Sequence, residues 1–128
     1  MVFKSNQELV EYLIKERKVL KTKEIIEAFL KIDRKDFVRE EYLAEAYNDY
    51  PLPIGYGQTI SQPFTVAFML ELLQPQKGDK ILDIGFGSGW TTSLLAEISQ
   101  NKVYAIEVVP EVFEFGKKNI EKYNFLEK

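Results

Sequence analysis

Gly85, Gly87 and Gly89 are spaced G-x-G-x-G, directly after the short apolar run 80–84 and directly before a run at helical spacing that starts with Trp90. A glycine turn between a strand and a helix lets a ligand lie against backbone that a Cβ would block, with helix N–H groups pointing outward. Ser88 lies inside this turn. Asp83, two residues before the first glycine, either orients the loop or meets an ammonium on the ligand. Glu107 ends the next apolar run about 20 residues further on, where an acidic side chain can accept hydrogen bonds from both hydroxyls of a ribose. The set describes a nucleoside-binding crevice at the carboxyl ends of parallel strands. A dinucleotide is disfavoured, because that fingerprint is G-x-G-x-x-G and bulky Trp90 follows the third glycine here. A P-loop is excluded, since no Gly-Lys-Ser or Gly-Lys-Thr follows.

A second chemical segment is Gln58-Thr59-Ile60-Ser61, which leads into Gln62-Pro63 and a helical pattern. Hydroxyls at a helix N-terminus suit an anionic group, and Ser61 or Gln62 can also serve as the cap. The chain has no cysteine and no histidine. Disulfides, thiolate nucleophiles, Cys or His metal ligands and a Ser-His-Asp triad are therefore excluded. No clustered aspartates suggest a carboxylate metal site. Any reaction must run on carboxylates, hydroxyls, Lys, Arg, Tyr and backbone, so nothing is present to deprotonate Ser61 for nucleophilic attack.

Elements that must position these groups are legible in the apolar periodicity. Ser5-Asn6-Gln7-Glu8 is a capping box ahead of Leu9, Leu13 and Ile14, which predicts a helix to about Lys18. Thr22 is placed to cap a second helix carrying Ile25, Ile26, Phe29 and Leu30, and Asp33 to open a short turn with Phe37 and Val38. Two prolines and two glycines between Tyr50 and Ser61 predict a loop. A helix from Pro63 ends before Pro75 and Gly78. Residues 80–84 and 102–107 read as strands, with helices from Trp90 to about Ser99 and from Pro110 to about Tyr123. This is a βαβα unit with a parallel pair.

The 128 residues fit one compact unit, with a helical region and active-site loop at 1–79 and a cofactor-binding region at 80–128. The net charge of -3 is spread over 17 basic and 20 acidic residues without a like-charge block, which argues against nucleic acid as a partner. No apolar run approaches the ~18 residues of a membrane span and the first residues lack the apolar core of a signal peptide, so a soluble cytoplasmic protein is expected.

Leu82-Asp83-Ile84-Gly85-x-Gly87-Ser88-Gly89 followed by Ile106-Glu107 resembles the cofactor motif of class I S-adenosylmethionine-dependent methyltransferases. Ala46-Tyr47-x-Asp49-x-Pro51-Leu52-Pro53-Ile54-Gly55-x-Gly57-Gln58-Thr59-Ile60-Ser61-x-Pro63 is similar to the more specific signature of protein-L-isoaspartate O-methyltransferases, and Arg34 and Phe37 resemble positions in that family's N-terminal helices. The resemblance implies an α/β fold: a helical N-terminal layer, then the first βαβα part of an incomplete Rossmann-like sheet. It implies methyl transfer from S-adenosyl-L-methionine to the carboxylate of isoaspartyl residues in damaged proteins, with isoaspartyl peptides or proteins as partners. Ser61 would be the active-site serine, orienting substrate and cofactor. Gln58, Thr59, Ile60, Asp83, Gly85, Gly87, Ser88, Gly89 and Glu107 would form the cofactor site. A non-catalytic cofactor-binding or assembly module is the alternative.

Two departures bear on function. Position 86 is usually small in the family, so Phe86 either crowds the methionine part of the cofactor or folds away. The family's sheet is seven-stranded, whereas this chain ends after two of those strands. A parallel strand with apolar side chains on both faces expects cover on both, so self-association through exposed strand edges is expected.

Overall fold

The computed structural model describes residues 2–123, and residues 124–128 at the end of the expected cofactor-binding region lie outside it. The chain forms α1 (Asn6–Lys15), α2 (Lys23–Lys31), two 3-10 turns at Arg34–Phe37 and Glu40–Glu45, β1 (Leu52–Gly55), β2 (Gln58–Ile60), α3 (Pro63–Leu73), β3 (Ile81–Ile84), α4 (Trp90–Ser99), β4 (Val103–Ile106) and α5 (Pro110–Glu121). The α/β class and the βαβα order agree with the sequence pattern.

The start of α1 is the expected box with one change of partner. Ser5 Oγ accepts the Glu8 N–H at 3.1 Å, while Glu8 Oε1 accepts the N–H of Lys4 at 3.0 Å. The helix stops three residues short of Lys18, because Lys18 takes a left-handed φ of 54° and turns Val19 and Leu20 into the core. Thr22 does not cap α2 with its side chain. Its hydroxyl donates to Glu71 Oε1 at 2.6 Å, and Glu71 Oε2 accepts the N–H groups of Lys21 and Thr22, both at 2.8 Å. The carboxylate serving this helix start therefore comes from α3.

The segment expected to be a loop is mostly a β-hairpin. β1 and β2 pair antiparallel with Leu52 opposite Ile60 and Pro53 opposite Thr59. Leu52, Ile54 and Ile60 point into the core, and Pro53 sits on an exposed position. The turn carries three successive positive φ values, 93° at Gly55, 56° at Tyr56 and 73° at Gly57. The glycines that argued against regular structure are the residues a tight hairpin turn requires.

α2 packs on α4, and α4 on α5 and β4, so a single core joins the N-terminal helices to the cofactor region. Phe29 meets Trp90 edge to face at 5.6 Å, an aromatic contact at the centre of this junction. β3 and β4 pair parallel, Ile81 opposite Val103 through Ile84 opposite Ile106. The described residues cover one face of this pair. Leu82, Ile84, Tyr104 and Ile106 all point to the other face, where Ile84 is 73% exposed.

Candidate functional site

A cavity of about 620 Å³, within the range of small-molecule sites, opens between α3, β3 and the start of α4. Thr59, Ile60 and Ser61 line it from the hairpin side, and Asp83, Gly85, Gly87 and Ser88 from the glycine loop. Gln58 is exposed on the hairpin, and neither it, Gly89 nor Glu107 reaches the wall. Seven of the ten expected residues thus meet at one cavity although they come from segments separated by a helix and a strand.

The three glycines have different work. Gly85, at φ 74°, is exposed, and a Cβ there would meet nothing within 4 Å. Its N–H and that of Phe86 both donate to Ile106 O, at 2.7 and 3.1 Å, tying the loop to the end of β4. Gly89 does not open space for a ligand. A Cβ on it would lie 2.7 Å from Ile120 Cγ1 and 2.9 Å from Gly116 O, so this glycine allows close packing of the loop on α5. Gly116 repeats the device from the helix side, 2.3 Å from Gly87 O at the position of a Cβ. Phe86 folds away: its ring lies against Gly116 and 5.4 Å from the ring of Phe113, and it is 7% exposed.

The two carboxylates are both engaged. Asp83 Oδ2 accepts the Thr92 hydroxyl at 2.5 Å, and burial raises its pKa against the lowering effect of that hydrogen bond. Glu107 Oε1 accepts the Gly87 N–H at 2.9 Å and its Oε2 accepts the Val109 N–H at 3.1 Å. It therefore braces the loop and the entry to α5, while each oxygen keeps a lone pair for a ribose hydroxyl. Ser88 is 5% exposed. Its carbonyl accepts Asn119 Nδ2 at 3.0 Å and its hydroxyl accepts the Trp90 N–H at 3.3 Å.

Ser61 is not the helix cap. The cap position of α3 is Gln62, and the cap hydrogen bond comes from Asp49, whose Oδ1 accepts the Phe64 N–H at 2.8 Å. Asp49 Oδ2 is paired with Arg17 at 3.0 Å. The positive end of α3 is thus already served by an internal carboxylate, which narrows the expectation that it would attract an anion. Among the described residues the Ser61 hydroxyl has no hydrogen-bond partner, and the Thr65 N–H remains an open donor in the first turn.

The family resemblance marks Arg34 by its position and implies no role for it. It is fully buried and donates to four carbonyls, those of Ala46, Asn48, Tyr50 and Ser61, at 2.9 to 3.1 Å. Burial lowers its pKa to about 10, with Asp49 and Tyr50 pulling upward, so it is a cation at neutral pH. Its guanidinium carbon lies 5.3 Å from the centre of a Trp90 ring. Thr92 and Asp49 also carried no assigned role. The signal for Thr92 is that a side chain on the covered face of β3 meets the first turn of the following helix.

A parallel βαβ unit with a glycine turn and an acid after its second strand is the architecture of α/β proteins that bind nucleoside cofactors. Within that class the chain belongs to the protein-L-isoaspartate(D-aspartate) O-methyltransferase family, whose family model matches residues 4–126. A protein-L-isoaspartate O-methyltransferase of Aeropyrum pernix is 47% identical over 106 residues, 81% of this chain and 41% of that protein. One of Thermococcus onnurineus is 44% identical over 115 residues, 90% of this chain and 52% of that protein. A Plasmodium falciparum structure described as a protein-L-isoaspartate O-methyltransferase in complex with S-adenosyl-L-homocysteine superposes with a TM-score of 0.83 at 28% identity, over 95% of this chain and 57% of that one. The chain spans about half the length of the curated relatives it matches. Among the described residues no helix is long and apolar enough to cross a membrane, and no three acidic groups cluster as a metal site would need.

Proposed function

We propose that the chain is the cofactor-binding and Ser61-bearing part of an S-adenosylmethionine-dependent methyltransferase acting on the carboxylate of L-isoaspartyl residues. The observation that carries this reading is the meeting of the Thr59-Ile60-Ser61 segment and the Asp83 to Ser88 loop at one cavity. The residues suit the cofactor: backbone at Gly85 has room for a close ligand, Asp83 offers an anion to an ammonium, and Glu107 has lone pairs left for a ribose. S-adenosylmethionine, when bound, supplies an electrophilic methyl on a sulfonium that leaves as a neutral thioether.

An isoaspartyl carboxylate is already ionised at neutral pH, so displacement requires alignment and not a base. Ser61, whose hydroxyl has no partner among the described residues, and the Thr65 N–H are the donors that would hold that carboxylate. The division at residue 80 separates the helical region and active-site loop, which adds Gln58, Thr59 and Ile60 to the cofactor site, from the Rossmann-like cofactor-binding region after it. The cytoplasm remains the compartment in this reading, on the strength of the sequence.

A second reading, a cofactor-binding or assembly module without turnover, is favoured by the bare apolar face of β3 and β4. It brings self-association with it, through that face and the open edges of the pair. Calorimetry with S-adenosyl-L-homocysteine and transfer of labelled methyl to an isoaspartyl peptide separate the two. Binding with transfer supports the enzyme, binding without transfer supports the module, and no binding removes both. Light scattering at micromolar concentration tests the association: a strictly monomeric species counts against it.

A further inference from the structure

We infer that Arg34 is a positioning residue for the substrate side of the site, holding Ser61 in register with the cofactor loop from behind. The inference rests on the reading of Ser61 given above and adds what sets that serine's place. Nη2 of Arg34 donates to the carbonyl of Ser61 at 3.1 Å and to that of Tyr50 at 3.0 Å, while Nη1 takes the carbonyls of Ala46 and Asn48. One rigid planar fork thus fixes the strand end that carries the free hydroxyl relative to the entry of the hairpin. The same guanidinium lies over Trp90, the residue that opens α4 directly behind Gly89. Ser61 and the glycine loop are therefore referenced to one buried group.

Two further features separate this residue from an ordinary core arginine. Asp49, the acid that acts on it electrostatically, is committed to Arg17 and to the N-terminus of α3, and among the described residues no ion pair joins Arg34 to a carboxylate. Its positive charge accordingly stands behind the place where an anionic substrate group would sit. Among the described residues its Nε and the Trp90 indole N–H are buried without a hydrogen-bond partner, a cost that the fold retains. A lysine would keep the charge but could not reach four carbonyls in one plane.

The test uses the full chain and two probes, S-adenosyl-L-homocysteine and an isoaspartyl peptide titrated into the chain loaded with it. Arg34→Lys is expected to weaken the isoaspartyl peptide about tenfold or more, the scale on which misplacement of an aligned group is felt, and by a larger factor than it weakens S-adenosyl-L-homocysteine. Peptide affinity equal to the parent's, with only a lower melting temperature, would make Arg34 purely structural and overturn the proposal. Should the variant fail to fold, NMR of the parent labelled at arginine nitrogen decides. Arg34 guanidinium signals that move with the isoaspartyl peptide but not with its aspartyl counterpart support the role, and signals that move with neither peptide overturn it. A parent that binds neither probe fails differently, removing the Ser61 reading and this one with it.

Discussion

The Thr92 hydroxyl donates to Asp83 Oδ2 at 2.5 Å, joining strand β3 to the first turn of α4 across the glycine loop. Burial raises the pKa of Asp83 and this bond lowers it, so the two effects oppose each other at one carboxylate. Thr92→Val removes the lowering effect with little change in shape. If Asp83 meets the ligand's ammonium as an anion, affinity for S-adenosyl-L-homocysteine falls as pH drops through the Asp83 pKa. Calorimetry across pH is expected to show that fall at a higher pH in Thr92→Val than in the parent.

Asp83→Asn tests the same carboxylate from the stability side. Because the folded pKa lies above the unfolded one, the ionised form destabilises the fold, an effect that sets in as pH rises through the unfolded value and is complete above the folded one. The variant is therefore expected to melt higher than the parent at neutral pH, to gain nothing in acid, and to bind S-adenosyl-L-homocysteine more weakly. A lower melting temperature together with unchanged binding would remove the ligand role for Asp83.

Gly85 and Gly89 are expected to respond differently to alanine. Gly89→Ala places a methyl within 2.9 Å of both Ile120 and the Gly116 carbonyl at φ 88°, and a loss of about 2–4 kcal/mol is expected from overpacking and backbone strain. Gly85→Ala meets nothing within 4 Å and carries only the left-handed penalty of about 1–2 kcal/mol, but its methyl occupies space proposed for the cofactor. Chemical denaturation with calorimetry should show the larger stability loss at 89, and at 85 a loss of affinity out of proportion to stability.

Ser61→Ala is expected to change stability by less than about 0.5 kcal/mol, because its hydroxyl has no partner among the described residues and Asp49 supplies the helix cap. Isoaspartyl peptide binding and methyl transfer are expected to drop. A destabilisation near 1 kcal/mol with intact peptide binding would return Ser61 to a capping role.

Glu71 gives a pH signature from a side chain that does not line the cavity. Burial raises its pKa, but the hydrogen bonds from Thr22, Lys21 and Gln74 outweigh this and the net shift is downward. Its stabilisation is thus fully present above the unfolded carboxyl pKa and disappears as pH falls past the lower folded value. Glu71→Gln should cost about 1 kcal/mol at neutral pH, and the gap in melting temperature from the parent should close in acid.

What the sequence showed was whatever depends on neighbours along the chain. The Ser5 box, the βαβα order and the glycine turn are local patterns, and each is present. What it concealed depends on distant pairs. Thr22 is a good cap by type, yet its hydroxyl is taken by Glu71, 49 residues away. Pro51 and Pro53 looked like breakers, but Pro53 occupies an exposed position of a two-stranded hairpin, where a missing N–H does little harm. The expected residues at 89 and 107 are adjacent to the cavity and act on its frame, because glycine and glutamate at those spacings can serve either the ligand or the loop.

The contact between Phe86 and Gly116 has a meaning for how this sequence can drift. A bulky ring at 86 is tolerated because the helix opposite offers no side chain at 116. A side chain at 116 would meet both the Phe86 ring and the Gly87 carbonyl, so a smaller residue at 86 relieves only one of the two contacts. Alanine at 86 should therefore restore only part of what alanine at 116 costs, and the size of residue 86 in a relative should be judged together with what faces it.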